Sequence, residues 1–96
     1  MTVEFNPAVE QDLAEAVAYY DTKSQRLGDD FLDEFRKFVN TAANNPDRFH
    51  VIGRGFHRAN LKRFPYHFLY LKTAIGIRIT LIRHHRRNPE FGMERK

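Results

Sequence analysis

Between Leu81 and Gly92 the chain reads LIRHHRRNPEFG, which sets His84 and His85 among Arg83, Arg86 and Arg87. Imidazoles that titrate near neutrality can take and return a proton, and guanidinium groups stabilise the charge of a developing phosphorane. The run therefore holds the residue types for general acid–base cleavage of RNA, with Arg83, His84, His85 and Arg86 as the catalytic candidates. A carboxylate or late tyrosine that would complete such a set is missing, since the last tyrosine is Tyr70 and Phe91 cannot transfer a proton. A plainer pair of roles competes: one histidine half-buried at a strand end with a hydrogen-bond partner, the other solvated.

Other chemistries are less well supplied. Adjacent strand residues point to opposite faces, so His84 and His85 cannot easily grip one ion. His57, His67 and one of that pair could converge across strands, but no carboxylate or thiolate lies nearby to neutralise a dication. Gly53-x-Gly55 lacks the further glycine, lysine or helix start of a phosphate loop and reads as a flexible turn. The one serine, Ser24, sits in a polar helix end, and there is no cysteine. No metal and no cofactor are expected.

The elements that carry these residues follow from periodicity. Thr2 to Phe5 alternates as a short strand, and Asn6-Pro7 reads as a helix start, because Asn caps well and Pro loses nothing at the first helical position. Val9, Leu13, Ala16, Val17 and Tyr20 then form the apolar side of a first helix that ends within Lys23–Gly28. A second helix starts near Gly28, with Asp29 and Asp30 complementing its dipole, and stops at Asn44-Asn45-Pro46. Phe31, Phe35, Phe38 and Ala42 make its stripe, and Leu32, Val39 and Ala43 widen it beyond what one packing surface usually needs.

After an irregular link through Gly53 and Gly55, the period changes to two. His57 to Phe64 places Ala59 and Leu61 on one face and Arg58, Asn60 and Lys62 on the other. Tyr66 to Lys72 is apolar on both sides, Thr73 to Gly76 is a short hairpin loop, and Ile77 to His84 completes a meander. In that last strand Ile77, Ile79 and Leu81 face one way, and Arg78, Thr80, Ile82 and His84 the other. Tyr66, Phe68 and Tyr70 alternate on one side of their strand, a stripe that suits the core better than base stacking. The expected fold is a single α+β domain over 1–96: an N-terminal strand, two antiparallel helices packed on an antiparallel sheet, and a C-terminal three-stranded meander completing it.

Charge divides the chain sharply. Residues 1–47 carry four Lys/Arg against ten Asp/Glu, a net −6, and residues 48–96 carry twelve against two, a net +10; together these make the overall +4. No carboxylate lies between Asp47 and Glu90, and all five histidines fall in the basic half. Such a stretch attracts an anionic partner, whether nucleic acid or an acidic peptide, although basic residues also keep sheet edges soluble. With no basic leader followed by an apolar segment, and no apolar run long enough to span a bilayer, the expectation is a soluble cytoplasmic protein without a membrane partner.

Taken together, HRANLKRFPYHFLYL from His57 and IRITLIRHHRRNP through Pro89 resemble the RelE/ParE superfamily of type II toxin–antitoxin toxins. The matching positions are Arg58, Lys62, Arg63, Phe64-Pro65-Tyr66, Tyr70, His84 or His85, Arg86-Arg87 and Pro89. AVEQDLAEAVAYYDTKSQRLGDDFLDEF resembles the family's helical pair, so the likeness covers nearly the whole chain. It implies a growth-arresting toxin. The missing late tyrosine and sheet carboxylate, with the Phe-Pro-Tyr and Arg-Arg-Asn-Pro elements, favour the ParE-like branch, which implies poisoning of DNA gyrase rather than catalysis. A ribosome-dependent endoribonuclease acting on mRNA and a non-toxic binding module of the same fold are the alternatives. The target contacts would be Arg58, Lys62, Arg63, His84, His85, Arg86 and Arg87. The resemblance also implies a cognate antitoxin, whose acidic, partly disordered segment would mask the basic half and cover Phe31, Leu32, Phe35 and Val39 on the second helix.

Overall fold

The structure, a computed structural model, describes residues 2–96. In chain order it comprises β1 (Thr2–Phe5), α1 (Val9–Asp21), α2 (Leu27–Asn44), β2 (His50–Gly53), β3 (Phe56–Asn60), β4 (Tyr66–Lys72) and β5 (Gly76–His84). The strands form one sheet in the order β1-β5-β4-β3-β2. β1 runs parallel to β5, and every other neighbouring pair is antiparallel. The α+β layout read from the sequence is thus present, with one strand more than expected and with a mixed sheet in place of the expected antiparallel one, because β1 lies parallel to β5.

Local chemistry sets the helix ends. Asn6 Oδ1 accepts the N–H of Ala8 at 2.9 Å, so the asparagine caps the turn that leads into α1. α2 begins after Arg26, whose φ of 73° turns the chain back on itself, and the Gly28 N–H is accepted by Asp21 Oδ1 at 3.1 Å. Any side chain on Gly28 would collide with that carboxylate and with the Val17 carbonyl, so the helices cross closely there.

Both helices cover one face of the sheet. Phe31, Phe35, Val39, Ala42 and Ala43 of α2 meet Ala59, Phe68, Tyr70, Ile77, Ile79 and Ile82 in the main core. The broad arc on α2 is explained by this double service, because the helix packs on the sheet and on α1 at once. Tyr20, Phe31, Phe64 and Tyr66 form a cluster of edge-on and stacked rings with centroids 4.8–5.9 Å apart. Such pairs each add about 0.5–1.5 kcal/mol beyond burial. The tyrosine stripe Tyr66-Phe68-Tyr70 is core, as its spacing suggested.

Three local expectations are corrected. The stretch before β3 is a fourth meander strand, β2, rather than an irregular link; all four of its residues are exposed, so no alternation betrays it. β3 ends at Asn60 instead of continuing to Phe64, because Glu34 Oε2 on α2 accepts the backbone N–H groups of Lys62 and Arg63 at 2.8 and 3.0 Å and folds that segment into a turn. Within β5 the pairing shifts by one: Tyr70 faces Ile79, but Leu69 faces Leu81. Thr80 is the extra residue of a β-bulge, and beyond it the faces exchange. Ile77, Ile79 and Ile82 therefore join the helix-side core, while Leu81 packs with Phe56 and Leu69 on the far face.

That far face is partly covered by the segment after β5. Met93 and Leu71 pack on the Phe56–Leu69–Leu81 cluster. Because β1 stops pairing at Ile79, the polar groups of β5 beyond it need other partners. Asp12 of α1 accepts the Ile82 N–H at 3.1 Å, and Arg95 donates to the Thr80 carbonyl at 3.2 Å while ion-pairing with Asp12 at 2.6 Å. This largely buried pair pins the C-terminal segment across the sheet end. Among the described residues, no helix is long and apolar enough to cross a membrane.

Candidate functional site

The cationic residues singled out from the sequence converge at one end of the sheet, where β3 finishes, β4 begins and β5 finishes. The Phe64-Pro65-Tyr66 element joins the pieces: Phe64 is buried, the Pro65 carbonyl accepts the His85 N–H at 2.8 Å, and the Tyr66 ring meets the His84 ring edge-on at 5.1 Å. The β3–β4 turn bearing Lys62 and Arg63 is thereby fixed beside the turn bearing Arg86 and Arg87.

Arg58, His67, Arg83 and His85 share the face turned away from the helices. His67 pairs directly across from Arg83, and Asn60 across from His67. Arg83 is 7% exposed; its Nη1 donates to the carbonyls of Pro89 and Phe91 at 2.7 and 3.1 Å, and its Nε donates to His67 Nε2 at 2.9 Å. Burial, then the nearby Arg58, lowers its pKa. Arg83, a catalytic candidate in the sequence, is instead a buried tie between β5 and the segment that follows.

His67 is 1% exposed, and its Nδ1 lies 2.9 Å from His85 Nδ1. Burial, followed by Arg58, Arg83 and the other two histidines of the cluster, pulls its pKa down to about 3. His85 is exposed and is also held below the ordinary value, first by partial burial and then by Arg58 and His84. Arg58 Nε donates to Asn60 Oδ1 at 2.8 Å, and its Nη2 lies 3.4 Å from His85 Nδ1.

His84 projects to the other face, as alternation requires. Its Nδ1 accepts the backbone N–H of Arg86 at 3.0 Å, and it lines a small recess of about 130 Å³ with Asp12, Tyr66, Arg87 and Phe91. Arg86 and Arg87 are exposed, and the Arg87 guanidinium stacks 4.0 Å from the Phe91 ring centre. Lys62 is exposed as well; Arg63 is partly tied, 3.5 Å from Asp30 and stacked over Phe64. The structure thus gathers Arg58, Lys62, Arg63, His85, Arg86 and Arg87 into one rim and separates His84 from His85.

Both tyrosines of the motif belong to the helix side. Tyr70 is fully buried, donates its hydroxyl to the Pro46 carbonyl at 2.7 Å, and has its pKa pushed up to about 12, chiefly by burial. Burial also raises Tyr66. His57 is a core histidine, stacked on Tyr70 with Nδ1 2.8 Å from the Phe49 carbonyl. The site residue that reasoning from sequence passed over is His67, weighed there only as a possible metal ligand. Its cross-strand partner decides its role, and the Thr80 bulge changes that partner from Ile82 to Arg83.

Between α1 and α2, Leu32, Phe35 and Val39 line a cleft of about 610 Å³ with Phe5, Val9 and Leu13. Phe31, grouped with them from sequence, is enclosed in the aromatic cluster and does not reach the cleft.

The family described as the ParE toxin of the type II toxin–antitoxin system parDE matches residues 3–89. Among solved structures, one described as the chromosomal ParDE TA system from P. aeruginosa is similar with a TM-score of 0.75 at 15% sequence identity, covering 88% of this chain and 95% of that one. At that identity the likeness speaks for the fold. The comparison with curated proteins gives no match. Since the matched span runs from β1 to the turn beyond β5 and takes in every residue of the cationic rim, the chain belongs to the ParE toxin family of type II toxin–antitoxin systems.

Proposed function

We propose that this toxin arrests growth by poisoning DNA gyrase in the cytoplasm, and that the rim formed by Arg58, Lys62, Arg63, His85, Arg86 and Arg87 contacts the target. The supporting observation is the division of labour at the sheet end. Cations are displayed, whereas two of the groups suited to proton transfer are withdrawn: Tyr70 is tied to Pro46 in the core, and buried His67 is kept neutral. A surface of this kind binds by electrostatics and shape and needs no bond-breaking of its own.

Family membership supports a cognate antitoxin as partner. An acidic, partly disordered antitoxin segment suits the molecule in two ways, by neutralising the basic rim and by seating apolar side chains in the cleft of Leu32, Phe35 and Val39. Phe31 would act beneath that surface, as support.

One observation favours the nuclease alternative. His85 is exposed, held below the ordinary histidine value and beside Arg58, a pairing suited to assisting attack of a 2′-hydroxyl. The two readings separate when purified toxin is given to gyrase with relaxed plasmid and, in parallel, to a translating extract. Poisoning of gyrase predicts impaired supercoiling or accumulated cleaved DNA with normal translation. Cut mRNA that disappears with His85→Ala, with supercoiling unaffected, would overturn it.

A further inference from the structure

We propose that Arg58 and His85 form a binding site for a phosphate group on the open face of the sheet, with His67 as the buried residue that positions it. This extends the target-contact reading, and its test uses no gyrase, so either can fail without the other.

The geometry dictates where the protons sit. A guanidinium Nε always carries hydrogen, so Arg83 is the donor to His67 Nε2 and that nitrogen is bare. His67 is buried and neutral, so its one ring proton is on Nδ1. The 2.9 Å contact then makes His67 the donor and His85 Nδ1 the acceptor. Arg58 Nη2 points at the same bare nitrogen from 3.4 Å. No other assignment satisfies these contacts, because a proton on His85 Nδ1 would face the proton on His67.

His85 is therefore held with its proton on Nε2, the ring nitrogen that has no hydrogen-bond partner among the described residues. Asn60 fixes the Arg58 guanidinium through Nε and leaves Nη1 without a protein partner among the described residues. The two groups together offer a fixed positive charge and two donor nitrogens without a protein partner, Arg58 Nη1 and His85 Nε2, on adjoining side chains. An oxyanion with several acceptor oxygens matches this set, and Arg with a second donor is a favoured arrangement for phosphate. A metal ion does not match, because the Nδ1 lone pair of His85 already receives hydrogen bonds and Nε2 carries a proton. Nor can His85 readily become doubly protonated, since a second proton would have to displace the bond from His67. It acts as a single oriented donor while Arg58 supplies the charge.

The test is nitrogen NMR of the histidine and arginine side chains of the full chain near neutral pH, during titration with inorganic phosphate against chloride at matched ionic strength. The free protein should show His85 protonated on Nε2 alone and His67 on Nδ1 alone. Phosphate should then shift the His85 Nε2 and Arg58 signals to saturation, and chloride should not. Arg58→Gln should weaken phosphate about tenfold or more, as expected for loss of a charge-assisted bond. His67→Phe should let His85 sample both tautomers and weaken phosphate with Arg58 still present. His67→Asn, which retains a donor where Nδ1 stood, should restore both. If a variant fails to fold, the tautomers and the titration of the unaltered chain still decide. A proton on His85 Nδ1 in the free protein, or phosphate shifts that chloride reproduces, would overturn the proposal.

Discussion

A histidine that stays neutral when folded but charges when unfolded makes stability depend on pH. His67 is held at about 3 in the fold, against an ordinary value of 6.5. Above about 6.5 both states are neutral at this ring and it contributes no slope. Between there and about 3 only the unfolded chain takes the proton, so folding stability is lost as pH falls, at up to about 1.4 kcal/mol per pH unit. Urea unfolding over that range should therefore show the wild type falling away relative to His67→Asn, which cannot titrate. Curves that stay parallel would mean that His67 is protonated in the fold or exposed to water. At this scale the sequence was only half legible. Arg58, Arg86 and Arg87 announce themselves by charge, but His67 and Arg83 become partners only through a cross-strand register that one extra residue, Thr80, resets. That residue carries its own cost, since the Thr80 hydroxyl is buried without a hydrogen-bond partner.

Elements were legible where their contacts are periodic and obscure where a distant group decides the local conformation. The two helices follow from apolar spacing and from Asn6, Asp29 and Asp30 at their starts. The end of β3 does not, because Glu34, far away in the sequence, supplies the acceptor that turns Lys62 and Arg63 out of the sheet. β2 is exposed at every position and leaves no pattern to read. The parallel pairing of β1 with β5 depends on Gly76, where a side chain would run into the backbone of Thr2. Gly76→Ala must push β1 away from β5. We expect it to cost about 1–3 kcal/mol, in the range of overpacked sites, and to speed amide hydrogen exchange at Val3 and Phe5. Unchanged protection in β1 would show that the strand has room to accommodate the methyl group.

At the scale of the whole molecule, the split between acidic and basic halves becomes a split in space. Residues 1–47 supply β1 and both helices, and residues 48–96 supply β2–β5 with the segment that folds across them. Some basic residues are neutralised internally, as Arg63 is by Asp30, Lys72 by Asp47 and Arg95 by Asp12. Arg58, Lys62, Arg86 and Arg87 make no ion pair among the described residues and lie within the rim. The fold gathers these four uncompensated cations at one end of the sheet. Binding driven by such a field weakens as salt shortens the Debye length, which is about 8 Å at physiological ionic strength.

The most direct test of the rim as the toxic surface is gyrase supercoiling in the presence of the wild type or of the double variant Arg86→Glu/Arg87→Glu, with the thermal midpoint of each protein recorded beside it. Both arginines are exposed and outside the regular strands, so the midpoint should hardly move while inhibition of supercoiling, and with it growth arrest, disappears. A folded double variant that inhibits gyrase as well as the wild type, or one whose midpoint collapses, would contradict the account.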